Sequence, residues 1–125
     1  MKKPMIVFLV CLSLLTACRA KAEYHIISAA DAYKIMSESN DFILLDVRTE
    51  EEFNEQRIEG AVLIPHQEIK ARAQKELPDK KRLILVYCRS GGRSILAAGE
   101  LVSLGYTNVF DLGGIINWPY QTISD

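Results

Sequence analysis

The chain has 125 residues, which is enough for one domain of ordinary size and too few for two. Hydrophobic residues make up 49% and charged residues 25%, proportions typical of a globular protein and not of a disordered or fibrous one. Lysine and arginine number 15 against 16 aspartates and glutamates, so the overall charge does not indicate a nucleic-acid partner, and we expect none.

The first residues have the pattern of an export signal. Lys2 and Lys3 form a short positive segment, and a nearly unbroken apolar run follows over residues 5–15. This run is shorter than the roughly 20 residues that a membrane-spanning helix needs, and it fits the apolar part of a secretory leader.

Two cleavage sites are compatible with this leader. Residues 15–18 resemble a bacterial lipobox, in which residues 1–17 are removed and Cys18 becomes a lipid-bearing N-terminus. Residues 20–22 alternatively follow the small-x-small pattern of ordinary signal peptidase, with cleavage after residue 22. We favour the lipobox because the cysteine directly follows the apolar run, and we expect a lipid anchor in a membrane. Either site predicts an exported protein of the bacterial periplasm or cell envelope.

Strand and helix patterns alternate along residues 23–125. In chain order they predict a strand over 24–27, a helix from Ser28, a strand over 42–47, a helix from Thr49, a strand over 61–64, a helix over 67–77, a strand over 83–87, a helix over about 92–104 and a strand over 108–110. This alternation predicts one α/β domain, with a central parallel sheet of about five strands and helices on both faces. In the last helix we expect the sheet-facing residues to be Ile95, Leu96, Leu101 and Leu104.

Two chemically active side chains fall where predicted strands end. Asp46 ends the second strand and Cys88 follows the fourth, and ligands of parallel sheets bind outside the carboxyl ends of the strands. For Asp46 and Arg48 we favour a structural role, in which they pair to fix the strand-to-helix turn. We expect Glu52 to cap the helix that follows.

Cys88 is the cysteine that remains free in the exported protein. Of the three cysteines, Cys11 is lost with the leader and Cys18 is either removed or lipidated. An unpaired cysteine outside the cytosol is exposed to oxidation, so its presence calls for a function. The alternative is a buried, inert thiol.

The residues after Cys88 favour a reactive thiolate. Gly91 and Gly92 allow successive backbone N–H groups to point to one centre, at the start of a predicted helix. Arg89 and Arg93 add positive charge, and each of these features lowers the pKa of a nearby thiol. The predicted catalytic residue is therefore Cys88. The predicted substrate-binding loop consists of Arg89, Ser90, Gly91, Gly92, Arg93 and Ser94.

The chain resembles a rhodanese-homology domain, the fold of thiosulfate sulfurtransferases. The matching stretches are residues 44–48, 51–53, 58–61, 64–65, 88–94 and 108–114, followed by Trp118. One departure is Arg57, which stands where the family usually has a histidine. The resemblance implies a two-step sulfur transfer through a persulfide on Cys88, from a small-molecule donor to a small-molecule or protein thiol acceptor. It implies no metal and no organic cofactor, and we expect a monomer.

Two other functions stay open. A related branch of the fold hydrolyses phosphate esters, but its loop has five residues between cysteine and arginine, whereas four separate Cys88 from Arg93 here. The shorter loop favours sulfur over phosphate. The protein is alternatively a non-catalytic persulfide carrier or redox module of the envelope, and the loop sequence does not separate this from turnover.

Overall fold

The computed structural model of the protein describes residues 23–125. The predicted signal peptide, the lipidation of Cys18 and both cleavage sites lie outside the described residues. Within residues 23–125, no helix is long and apolar enough to cross a membrane.

Five strands and four helices alternate along the described chain, together with two short 3₁₀ turns. The strands are β1 (His25–Ile26), β2 (Ile43–Asp46), β3 (Val62–Leu63), β4 (Ile84–Cys88) and β5 (Val109–Gly114). The helices are α1 (Ala29–Glu38), α2 (Glu50–Glu55), α3 (Ile69–Glu76) and α4 (Gly92–Ser103). The 3₁₀ turns are His66–Glu68 and Ile115–Asn117.

The strands form one parallel sheet in the order β1-β5-β4-β2-β3, as the alternating pattern predicted. β4 lies at its centre, and all five of its residues are buried. The apolar residues of β4 form a continuous run because both faces of a central parallel strand are covered. The edge strands β1 and β3 have only two residues each, which leaves little unpaired backbone for association with other chains.

Helices cover both faces of the sheet, which confirms the predicted fold class. The face with α3 and α4 is filled by the larger cluster of buried side chains, among them Leu45, Ile69, Val86, Ala98 and Leu101. The face with α1 carries a second cluster, which includes Ala32, Leu44, Leu85, Tyr87 and Trp118. Alternate residues of β4 therefore contribute to opposite cores.

Local hydrogen bonds begin the helices where the sequence predicted. The Ser28 hydroxyl accepts from the backbone N–H of Asp31 at 3.1 Å and caps α1. Thr49 and Glu52 form a reciprocal capping box at the start of α2. Both interactions satisfy N–H groups that have no partner inside their helix.

The predicted inner face of α4 was wrong at two positions. Ile95 and Leu96 are 47% and 64% exposed, whereas Ala97, Ala98 and Leu101 are buried. Positions 94, 97, 98 and 101 lie on one side of a helix with 3.6 residues per turn, and positions 95 and 96 are rotated away from it. The small alanines allow close packing of α4 on the sheet, so the larger side chains before them point outward.

This arrangement predicts unequal effects for two leucine substitutions in α4. Leu101→Ala removes buried methyl groups and should lower the free energy of unfolding by about 2–5 kcal/mol. Leu96→Ala, the matched control on the exposed face, should change it by no more than about 0.5 kcal/mol. Urea unfolding followed by circular dichroism measures both. Equal losses would contradict the assigned orientation of α4.

Candidate active site

Cys88 is the last residue of the central strand, and it lies at the edge of the sheet where parallel strands end. It is paired in register with Gly114 of β5 and is only 1% exposed. Its side chain belongs to the cluster on the α4 side. The thiol is therefore fixed by β4 from one side and faces the start of α4, as expected of a site at the carboxyl edge of a parallel sheet.

The loop after Cys88 turns its backbone toward the sulfur. The N–H of Gly91 donates to Cys88 Sγ at 3.0 Å. Gly91 has φ +107°, a left-handed conformation that other residues rarely adopt, and it is the residue that immediately precedes α4. The sequence thus places a glycine where the chain must bend back on the thiol. The sulfur lies beside the N-terminus of α4, the positive end of its dipole.

Hydrogen bonds make the thiolate of Cys88 more stable than burial alone would allow. Burial raises the pKa of the thiol. Hydrogen bonds from the Ser94 hydroxyl and from the backbone N–H groups of Ser94, Gly91 and Ser90 outweigh it, so the pKa lies below its usual value. The arginines are not among these main causes, although the sequence predicted that their charges would also lower the pKa of the thiol.

Ser94 has a central position among these donors. It is fully buried, and its hydroxyl donates to the carbonyl of Gly91 at 3.0 Å. Rotation about its C–O bond turns the same proton to the sulfur instead, so the hydroxyl donates either to the loop carbonyl or to the thiolate, one at a time.

Arg93 contacts a carboxylate of another helix. Its two terminal nitrogens donate to the two carboxylate oxygens of Glu52, at 2.6 and 2.9 Å. This pairing lowers the pKa of Glu52 to about 2 and raises the pKa of Arg93. Glu52 was predicted only as a capping residue, so sequence reasoning missed its second partner. The two residues are 41 positions apart, and no local pattern indicates such a contact.

Asp46 and Arg48 form a buried ion pair beside the loop. The Arg48 side chain donates to both carboxylate oxygens, with the shortest distance 2.7 Å, and its backbone N–H donates to Asp46 Oδ1 at 2.9 Å. Asp46 is fully buried and Arg48 is 4% exposed. These contacts fix the turn from β2 to α2, as the predicted structural role requires.

Gly114 allows the loop to lie against the end of β5. A Cβ atom at this position would lie only 2.6 Å from the Cα of Ser90 and even closer to the carbonyl of Arg89. That carbonyl accepts from the N–H of Ile116 at 3.2 Å, which holds the loop in place. Sequence reasoning named no role for Gly114; the pair of glycines at a strand end was the available signal.

The remaining loop residues lie at the surface. Arg89, Ser90 and Gly92 are exposed, and Arg89 lines a cavity of about 280 Å³. The other residues that line this cavity are Arg48, Glu52, Glu55 and Gln56. The loop, α2 and the turn after β2 therefore meet at one opening beside the loop that holds Cys88, which we call the mouth of the site.

Arg57, the departure from the family pattern, packs away from the loop. Its guanidinium binds Asp125 at 2.7 Å, and its backbone pairs with Ile123. The residue thus fastens the C-terminal segment to the fold.

Fold and site together define an α/β protein with a cysteine of lowered pKa at the end of its central strand. The model of the rhodanese-like domain matches residues 28–119, and the chain belongs to that family.

Relatives in bacteria share this domain. The chain is 38% identical over 71 residues to thiosulfate sulfurtransferase PspE of Escherichia coli K12, covering 57% of this chain and 68% of that protein. It is 39% identical over 84 residues to a sulfurtransferase of Allochromatium vinosum, covering 66% and 77%.

Solved structures agree with the fold. A structure described as rhodanese with anions from E. coli superposes with a TM-score of 0.63 at 32% identity, covering 67% of this chain and 99% of that one. A rhodanese-related protein of Thermoplasma volcanium gives a TM-score of 0.70 at 30% identity, covering 82% and 100%.

Removal of the Ser94 hydroxyl tests the hydrogen bonds to sulfur. Ser94→Ala should raise the pKa of Cys88, because the thiolate loses a donor while its burial remains. Ser103→Ala, which removes a similar hydroxyl contact near the exposed end of α4, should leave that pKa unchanged. Thiolate absorbance against pH, with Cys88→Ser as the blank, measures the shift. An unchanged midpoint in Ser94→Ala would show that its hydroxyl does not support the thiolate.

Proposed function

We propose that the protein transfers a sulfane sulfur from a donor such as thiosulfate to a nucleophilic acceptor through a persulfide on Cys88. The observation that carries the proposal is the set of hydrogen bonds on Cys88, with Gly91 N–H 3.0 Å from Sγ. The names of the E. coli and Allochromatium relatives support a sulfurtransferase-type function.

The first step is a displacement at sulfur. The Cys88 thiolate attacks the outer sulfur of thiosulfate, a new S–S bond forms, and the S–S bond of thiosulfate breaks. The bonding pair leaves with sulfite, so charge and electrons balance. A nucleophile with a lowered pKa favours this step, because more of it is ionised at neutral pH.

The second step returns the enzyme to its starting state. A nucleophile such as cyanide or a thiolate attacks the terminal sulfur of the persulfide, and the Cys88 thiolate is released. The loop N–H groups that stabilise the thiolate also face the terminal sulfur while it is negatively charged. The donor supplies the transferred sulfur atom and the acceptor receives it. The chain's own residues provide the nucleophile and the hydrogen bonds.

The loop length supports sulfur transfer over phosphate hydrolysis. Four residues separate Cys88 from Arg93, one fewer than in the related phosphatases, so fewer N–H groups surround the bound group. The terminal nitrogens of Arg93 are also occupied by Glu52 instead of facing the sulfur. A tetrahedral phosphate would need both more donors and a free guanidinium.

The proposal also includes where in the cell the protein acts. The apolar leader and Cys18 support export to the bacterial cell envelope with attachment by a lipid anchor. A monomer of this kind would receive sulfur from a small molecule and pass it to a small molecule or to a protein thiol.

Steady-state assays with thiosulfate and cyanide test the proposal. Wild-type protein should produce thiocyanate, and Cys88→Ser should show only the reaction found without protein. An aryl phosphate is assayed in parallel and should not be hydrolysed. Persulfide formation without thiocyanate production would favour the carrier. Phosphate release that disappears in Cys88→Ser would overturn the proposal in favour of a phosphatase.

A further inference from the structure

The mouth of the site carries less positive charge than its arginines suggest. Arg48 is paired with Asp46, and Arg93 is paired with Glu52. Arg89 is exposed, and among residues 23–125 it takes part in no ion pair. Arg89 is therefore the one arginine of the mouth without a paired carboxylate, and Glu55, which also lines the mouth, takes part in no ion pair of residues 23–125 either.

The ion pair of Glu52 and Arg93 is held by two hydrogen bonds and is partly shielded from solvent. Each carboxylate oxygen accepts from a different guanidinium nitrogen, and the side chains are only 26% and 30% exposed. Two parallel hydrogen bonds fix the guanidinium in the plane of the carboxylate, which a single exposed ion pair does not achieve. The pair also joins the first turn of α2 to the first turn of α4.

The charge on Arg93 and the charge on Cys88 act on each other. Arg93 lies in the first turn of α4, between Gly91, whose N–H donates to Cys88 Sγ, and Ser94, whose groups also lower the pKa of the thiol. This position places its charge near the sulfur. An anion that approaches Cys88 therefore meets the field of Arg93 together with the opposite field of Glu52. The carboxylate reduces the attraction that Arg93 alone would exert.

We propose that Glu52 is a specificity-determining residue that compensates Arg93 and limits the preference of Cys88 for anionic reactants. As a statement about sulfur donors, this rests on the proposed function. With Glu52 in place, the charge of Arg93 gives anionic donors such as thiosulfate little advantage over uncharged sulfane-sulfur compounds. Without Glu52, the uncompensated charge of Arg93 favours anions more strongly.

The chain offers a variant that removes the charge and keeps the fold. Glutamine also completes a capping box at the third helical position, and the Thr49 hydroxyl still accepts from the backbone N–H of residue 52. Glu52→Gln therefore retains the start of α2. Glu51→Gln is the matched control, because Glu51 is an exposed carboxylate on the same turn and takes part in none of the ion pairs of the described residues.

Alkylation of Cys88 by two reagents of nearly equal size tests the proposal. Iodoacetate is anionic and iodoacetamide is neutral, and in both reactions the thiolate forms an S–C bond while iodide leaves with the bonding pair. The measured quantity is the ratio of the two rate constants at low ionic strength. Burial and thiol pKa affect both reactions equally and cancel in this ratio.

Glu52→Gln should raise the ratio of the iodoacetate rate to the iodoacetamide rate about two- to three-fold, the effect of one unit charge several ångströms away in water. Arg93→Gln leaves Glu52 uncompensated and should lower the ratio by a similar factor. The double variant should return close to the wild-type value, and Glu51→Gln should not differ from wild type. Added salt should diminish each change.

An unchanged ratio in both Glu52→Gln and Arg93→Gln would overturn the proposal. So would an equal fall in both rates for Glu52→Gln, which indicates a purely structural role. Sulfur transfer is measured on the same variants, and kcat/KM for thiosulfate should follow the labelling ratio. If the ratio changes as expected while no variant produces thiocyanate, the proposed function fails and the electrostatic role of Glu52 stands.

Discussion

The hydrogen bonds from the loop to Cys88 Sγ are the interaction on which the site depends. A thiol at the end of a completely buried strand would normally stay protonated, because burial disfavours the charged form. Here the N–H of Gly91 and the groups of Ser94 outweigh the effect of burial, so the pKa of the thiol lies below its usual value. The structure therefore lowers the pKa of the thiol with uncharged donors, the Ser94 hydroxyl and the backbone N–H groups of the loop.

Other features of the fold serve to hold these donors in place. The left-handed Gly91 turns the chain into α4, and the absence of a side chain at Gly114 lets the loop rest on the end of β5. On the other side, the buried pair of Asp46 and Arg48 fixes the turn into α2. Each of these contacts is short and specific, so small changes in shape at the mouth are expected to alter the reactivity of the thiol.

Much of this structure could be predicted from local sequence. The central strand is a continuous apolar run, and the caps at Ser28 and Thr49 follow from residues three positions apart. The inner face of α4 could not be read correctly, because apolar residues occur around much of the helix and the small alanines mark the buried side. Packing against the sheet decided between these faces, and packing is not a local property.

The features that local sequence could not predict depend on contacts between residues that are far apart in the sequence. The sequence indicated Arg93 as part of an anion-binding loop and Glu52 as a cap, but their pairing needs α2 and α4 to meet in space. The close approach of Gly114 to the loop likewise depends on the register of β5 against β4. The positions of the predicted site residues at strand and helix ends thus followed from the sequence, whereas the pairing of their charges did not.

Intact mass spectrometry of the protein after treatment with thiosulfate tests the central claim most directly. The account predicts that the protein gains the mass of one sulfur atom, that cyanide or a reducing thiol removes it, and that Cys88→Ser gains none. Unchanged mass of the folded wild-type protein, or an equal gain in Cys88→Ser, would contradict a persulfide on Cys88.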